Sequence, residues 1–252
     1  MRYYDAVDFV VFELTKKTYP SIFESRSALK TYLTKEKGEI PDDILLVINA
    51  ILRYERSTTD IVDHRKLKRN MLNISLWKGD ITLLKVGAIV NAANKYGLGC
   101  FKPFHKCVDN TIHNKAGPLL RHECNQVMEK RGDLLKTGEV FITKAYVLPC
   151  DNIIHALGPV YENEIDPEQK LKDCYINSLN LAKEKKIKSI AFTCISTGMF
   201  GFPREGAARI AVQTVNEWIR ENPCYDIHVI FCTYRDNDYD VYKEKLLRKG
   251  RR

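Results

Sequence analysis

Ala88-Ile89-Val90-Asn91-Ala92-Ala93-Asn94 opens a stretch that reads AIVNAANKYGLGCFKPFHKCVDNTIHNKAG and closes at Gly117. Its first three residues form a short apolar run, suited to a strand buried on both faces. The chain then turns polar at Asn91 to Asn94, passes the flexible Gly97-Leu98-Gly99, and reaches Cys100, His105 and Cys107. From Val108 the pattern predicts a helix ending near Gly117-Pro118. Two sulfur ligands and an imidazole within eight residues could hold a zinc ion. No second Cys/His pair follows at zinc-finger spacing. Three protein ligands leave one tetrahedral position open, the arrangement of a catalytic rather than a structural zinc. Gly99 and Pro103 favour a tight loop that gathers the ligands. The spacing is equally that of two partly buried free cysteines beside a surface histidine, and alone it leaves both readings open.

Outward from this stretch, strands and helices alternate. Ile74 to Trp77, Ala88 to Asn91, Val140 to Ala145, Asn152 to Leu157, Ser189 to Ile195 and Asp226 to Cys232 read as strands. Helices are expected over Leu119 to Lys130, Pro167 to Lys185, Glu205 to Arg220 and Asp238 to Leu247. Such alternation predicts an α/β fold: a three-layer α/β/α sandwich on a mixed, mostly parallel central sheet. We expect it to span residues 69–252.

Residues 1–68 read as a small helical region. Val7, Phe9, Val10, Val11, Phe12 and Leu14 give Asp5 to Lys17 a broad apolar face. Ser25 is the expected N-cap of a second helix, to Glu36, with Leu29, Tyr32 and Leu33 on one side. Pro41-Asp42-Asp43 opens a third, proline in its first turn and acids at the positive end of the dipole, and Ser57-Thr58-Thr59 ends it. This region holds no catalytic constellation, so its expected role is to pack against the main domain, with partner recognition ranked second.

With 40 Lys+Arg against 32 Asp+Glu, the chain carries a formal charge of +8. Part lies in His64 to Arg69 and part in Lys243 to Arg252, which we read as a solvated linker and tail. A positive field favours anionic ligands, a pyrophosphate or a nucleic acid. No aromatic platform for single strands accompanies the charge, so nucleic acid ranks last. The eight cysteines are scattered, and Cys194 and Cys232 fall inside strand candidates. The N-terminus carries an acid early and lacks a signal-peptide core, and no window approaches the ~18 apolar residues of a membrane span. A reduced, cytoplasmic, non-membrane protein is expected.

In open α/β sheets ligands bind beyond the carboxyl ends of the strands, and Asp80, Asn94 and Ser196 each follow a strand candidate. Asp80 is equally suited to capping the next turn, and Asn94 to a plain turn position. Ser196-Thr197-Gly198-Met199-Phe200-Gly201 has the glycines and the successive N–H groups of an anion cradle, without the GK[ST] of a Walker loop. Asp109 follows Cys107 by two and also suits a helix start. Tyr234, just after the last strand, is a candidate stacking residue, and equally suits core packing or simple surface exposure. His113 and His155 are assigned to structure, and Asn91 is more structural than Asn94.

Gly79-Asp80-Ile81-Thr82, the Ala88–Asn94 segment and Ile195 to Pro203 resemble the three signature segments of a macrodomain, in the family's order, over about residues 70 to 245. The Cys100/His105/Cys107 loop resembles the zinc-containing subgroup of microbial protein-ADP-ribose hydrolases. The resemblance implies an ADP-ribose site: Asp80 and Ile81 at adenine, with Tyr234 stacking. Ser196, Thr197, Gly198, Met199 and Phe200 would lie at the diphosphate and distal ribose. Asn94, Cys107, Val108 and Asp109 would lie around that ribose, with Asn94 and Asp109 positioning the attacking water. It implies a monomeric Zn2+-dependent hydrolase acting on mono-ADP-ribosylated protein, at Asp or Glu esters, with O-acetyl-ADP-ribose as a second substrate. The alternative is an ADP-ribose reader with a structural zinc, because a fold does not fix a function. Non-zinc hydrolases carry a glycine run where this chain has Cys100 to Cys107, so their catalytic details transfer only in part.

Overall fold

A computed structural model describes residues 1–35 and 40–247. The end of the basic run, 248–252, and the last position of the expected second helix, 36, lie outside them. Helices α1 (Tyr3–Thr15), α2 (Ile22–Lys35) and α3 (Asp42–Ser57) come first. Then follow β1 (Val62–Asp63), β2 (Ile74–Lys78), β3 (Leu84–Lys85), β4 (Ala88–Ala92), α4 (Val108–Ala116) and α5 (Pro118–Arg131). The chain continues through β5 (Val140–Lys144), β6 (Asn152–Ala156), α6 (Pro167–Glu184), β7 (Ser189–Phe192), α7 (Arg204–Glu221), β8 (His228–Thr233) and α8 (Asp236–Leu247).

The main sheet runs β2-β8-β7-β4-β6-β5, parallel throughout except for β5, which pairs antiparallel with β6. Each central strand buries both faces because alternate residues point to opposite sides. Ile89, Ile153, Ala191 and Ile230 pack with Ile112 and Ala116 of α4 and Leu120 and Cys124 of α5. Val90, Ile154, Phe192 and Phe231 pack against α6, α7 and Tyr242 of α8. These are the three layers expected.

The N-terminal helices form a separate apolar cluster around Val7, Val10, Leu29, Ile48 and Ile51, which takes in Val147 from the sheet domain. Ser25 does not cap α2. The helix begins at Ile22, which places Ser25 inside it, where its hydroxyl donates to Asp8 Oδ1 at 2.6 Å. Pro41 sits at the N-cap of α3, one position before the first turn. The seventh strand is shorter than expected and ends at Phe192, because the chain turns at Thr193 and enters a left-handed residue at Ser196. The linker His64–Lys66 forms a 3-10 turn that docks on the sheet. His64 Nδ1 meets His228 Nδ1 at 2.9 Å, and His228 Nε2 meets Ser75 Oγ at 2.7 Å. Ser75 donates its hydroxyl proton to the Lys68 carbonyl at 2.8 Å, so His228 carries its proton on Nε2 and accepts from His64 on Nδ1.

Candidate functional site

Because β2, β8, β7 and β4 are adjacent and parallel, their carboxyl ends form one edge. Asp80 lies two residues past β2, Tyr234 directly after β8, Ser196 past β7 and Asn94 past β4. The sheet order therefore brings to one edge residues that are far apart in sequence.

Asp80 is anchored on both carboxylate oxygens. Oδ1 accepts from Thr82 N at 3.0 Å and Thr82 Oγ1 at 2.6 Å, capping the 3-10 turn Ile81–Leu83. Oδ2 accepts from Lys115 Nζ, on α4, at 2.7 Å. Burial alone would raise its pKa. The hydrogen bonds from Lys115 and Thr82 and the Lys115 charge outweigh that and hold the carboxyl below its ordinary value. A fixed, ionised acceptor results. Ile81 is buried beside it, and Tyr234 is 78% exposed.

The Asn91–Asp109 cluster lies where β4 faces the start of α4. Asp109 is buried and accepts from Asn91 Nδ2 at 2.8 Å on Oδ1 and from Asn94 Nδ2 at 3.3 Å on Oδ2. Burial pushes its carboxyl up to about 6, while the two amides and the Arg121 charge pull the other way. Asn94 Nδ2 also donates to the Gly99 carbonyl at 3.0 Å, and its Oδ1 accepts from Tyr96 N at 3.0 Å, so Asn94 organises the turn as well. His113 Nε2 lies 3.5 Å from Asp109 Oδ1, but burial holds that imidazole neutral and the contact is no ion pair. Gly99 has φ +81, and a Cβ there would lie 2.7 Å from the His113 ring. Glycine is what lets the loop pass over this histidine. His155, buried on β6, accepts from Asn91 on Nδ1 at 3.2 Å and meets Thr143 Oγ1 on Nε2 at 3.0 Å, a satisfied core histidine.

Cys100, His105 and Cys107 are brought together. Their ligand atoms all lie within 4.8 Å of one another, and Cys100 Sγ is 3.4 Å from His105 Nδ1. Zinc–sulfur and zinc–nitrogen bonds at a tetrahedral angle put two such atoms about 3.5 Å apart, so that pair has the spacing of two ligands of one ion. Cys107 is the N-cap of α4, its Sγ accepting from Asn110 N at 3.4 Å. Burial, then Cys100 and Asp109, push its thiol up to about 12 against that one N–H, so protein alone leaves it protonated. Bound zinc would deprotonate a coordinating thiol. His113, Cys124 and His155 form a second, fully buried cluster, which meets Asp109 through His113.

The loop from Ser196 to Gly201 is folded on itself: Ser196 O accepts from Phe202 N at 3.0 Å, and Gly198 O from Gly201 N at 3.1 Å. Ser196 has φ 64, costly for a non-glycine residue, and its buried hydroxyl has no partner among the described residues. Gly158 makes room for it, since a Cβ there would lie 2.1 Å from Ser196 Oγ. Thr197 Oγ1 donates to the Cys194 carbonyl at 3.0 Å. Phe200 is half-buried and Met199 is 73% exposed.

The family model described as "Macro domain" matches residues 90–211. A "Protein-ADP-ribose hydrolase" of Staphylococcus aureus (strain MRSA252) is 39% identical over 238 residues, 91% of this chain and 88% of that protein. The chain belongs to the Macro domain family. Within it, "ADP-ribose glycohydrolase MACROD2" of Homo sapiens is 44% identical over 234 residues, covering 88% of this chain and 52% of that protein. The Trypanosoma brucei macrodomain solved in complex with ADP-ribose superposes with a TM-score of 0.68 at 29% identity, covering 86% of this chain and 95% of that one. The Oceanobacillus iheyensis macrodomain with ADP gives 0.64 at 40% identity, covering 70% and 91%.

In this macrodomain, the sequence reading missed Lys115 and Arg121. Lys115 lies in the last turn of α4 and pairs with a residue 35 positions back. A lysine on an exposed helix face carries no local mark of such a pair. Asn91 was read as structural, and it is the closer of the two amides to Asp109. Among the described residues no helix of the macrodomain is long and apolar enough to cross a membrane.

Proposed function

We propose that the chain is a zinc-dependent hydrolase that releases mono-ADP-ribose from protein side chains, at aspartate or glutamate esters, and that it also cleaves O-acetyl-ADP-ribose. The observation that carries this is the buried Asp109 carboxylate, held by the Asn91 and Asn94 amides two residues from the Cys100/His105/Cys107 set. The naming of the Staphylococcus aureus and Homo sapiens relatives as ADP-ribose hydrolases supports it.

Asp80 takes the exocyclic amine of adenine, Tyr234 stacks on the base, and the Ser196 to Phe200 loop holds the diphosphate and distal ribose. Asn94, Val108 and Asp109 orient the ribose at its C1″ end. Cys100, His105 and Cys107 would hold zinc, which would supply a Lewis acid or lower the pKa of water there. Asp109, above its ordinary pKa and still ionised at neutral pH, accepts the proton of the attacking water at a carboxylate oxygen. The water oxygen bonds to C1″ as the C1″–O bond breaks, and the side-chain carboxylate leaves with the electron pair. Such a leaving group is stable as an anion and needs no acid. Residues 69–252 carry this chemistry in a monomer, and residues 1–68 pack against them.

Single-turnover release of ADP-ribose from an auto-ADP-ribosylated protein, with metal-replete and chelated enzyme, tests the proposal. Release that stops on chelation and returns with zinc supports it. No release by metal-replete protein that still binds ADP-ribose would make the chain a reader, and full release after chelation would remove zinc from the chemistry.

A further inference from the structure

Between β4 and α4 the chain runs through the Cys100–Cys107 loop without regular structure, and two of its carbonyls are held by side chains from elsewhere. Arg121, on α5, donates from Nε to the Leu98 carbonyl at 2.9 Å, and its guanidinium lies 4.6 Å from the centroid of the Phe101 ring. Asn110 Nδ2 donates to the Lys102 carbonyl at 2.8 Å, while Asn110 N closes on Cys107 Sγ. Both holding side chains are themselves tied to the last turn of α2. Arg121 Nη1 donates to the Leu33 carbonyl at 2.7 Å. Leu33 lies in the last turn of α2, Ile22–Lys35. Asn114 Nδ2 donates to Asn110 Oδ1 at 2.9 Å and to Thr34 Oγ1 at 3.3 Å. Thr34 spends its own proton on the Lys30 carbonyl at 2.7 Å, so towards Asn114 it is the acceptor.

Adjacent residues of α2 are thus joined, through one side chain in one case and two in the other, to loop positions 98, 101 and 102, while the Asn110 backbone N–H holds Cys107. Arg121 is suited to this because its planar fork reaches both carbonyls while its face covers an aromatic ring. We propose that the end of α2 is a clamp on the Cys100–Cys107 loop, with Arg121, Asn114 and Asn110 as positioning residues, so that the N-terminal helices set the geometry of the sulfur–imidazole donors. The consequence for turnover rests on the hydrolase reading above; the clamp itself does not.

The test uses the full chain with Arg121→Gln, Arg121→Lys and Thr34→Val, the last a near-isosteric change remote from the loop. Hydrogen–deuterium exchange of residues 97–107 is read beside exchange of β7 and β8, with kcat, KM and ADP-ribose affinity measured in parallel. The expected result is exchange faster by about 10-fold in 97–107 for Arg121→Gln and Thr34→Val, with β7 and β8 unchanged. Arg121→Lys should recover part of the protection, since it keeps the charge but not the fork. kcat should fall roughly 10- to 100-fold, as a misplaced catalytic group predicts, with ADP-ribose affinity little changed. Unchanged exchange of 97–107 in both Arg121→Gln and Thr34→Val would overturn the clamp, and so would an equal rise in β7 and β8. Faster exchange in the loop with normal turnover would leave the clamp standing and remove the loop from catalysis.

Discussion

Replacing Asp80 by asparagine separates the structural from the binding work of that side chain. Asparagine caps as well as aspartate, so the bonds from Thr82 N and Oγ1 to Oδ1 survive the change. What is lost is the second oxygen and the charge. The ion pair with Lys115 has side chains 45% and 26% exposed, and such a pair contributes about 0–1 kcal/mol after screening. Stability should therefore fall by no more than about 1 kcal/mol, a Tm shift of roughly 2–4 °C for a chain of this size. Binding should suffer more. A hydrogen bond to a charged acceptor contributes ~1.5–3 kcal/mol, and the new amide would point N–H groups at both Lys115 and an amino group on the base. ADP-ribose titrated calorimetrically should bind Asp80→Asn about 10- to 100-fold more weakly than the parent. Ribose 5-phosphate, which lacks the base, should bind both proteins alike. An unchanged ADP-ribose Kd would refute the assignment of Asp80 to adenine, and so would equal weakening for ribose 5-phosphate.

Asp109→Asn should lower single-turnover release by about 10²- to 10⁴-fold, with ADP-ribose affinity retained, because it removes a proton acceptor while keeping the shape. Cys107→Ser should lower bound zinc from about one ion per chain to a small fraction, measured by elemental analysis, because it removes one of three protein ligands. Gly158→Ala should lower the Tm by several degrees and weaken ADP-ribose binding together, since a Cβ there would lie 2.1 Å from Ser196 Oγ. The fold should also loosen in mild acid. His228 is held at about 4, first by burial and then by the Arg69 and His64 charges, against an ordinary value near 6.5. The unfolded chain binds the extra proton between those values, so stability is full above about 6.5 and declines towards 4 by up to roughly 3 kcal/mol. Urea unfolding across that range should show the decline, and His228→Gln, which keeps a donor for Ser75, should flatten it.

The strands were legible because they are buried on both faces: Ala88-Ile89-Val90 and Ile190-Ala191-Phe192 are apolar whichever way each side chain points. Helix interiors were legible from their periodicity, and element ends less so. Ser25 has the chemistry of a cap, but an acceptor on a neighbouring helix, Asp8, competes for its hydroxyl. Ile195 continues an apolar run, yet the strand has already ended, because Ser196 must adopt a positive φ. The Cys100/His105/Cys107 set was legible because its members are close in sequence, and the structure brings their donor atoms together. Lys115 on Asp80 and Arg121 on Leu33 were not, because each contact depends on how layers stack rather than on any local pattern.

The sheet order has a consequence for how the protein is made. β2, the first strand of the sheet in the chain, has β8 as its partner, so Lys78 aligns with Thr233 and must wait while some 150 intervening residues are synthesised. Until β8 leaves the ribosome, the segment ending at Asp80 is an unpaired apolar edge. A nascent chain halted before residue 228 would have β4, its neighbours β6 and β7, and α4 in place and yet leave Ile74–Lys78 without its strand partner.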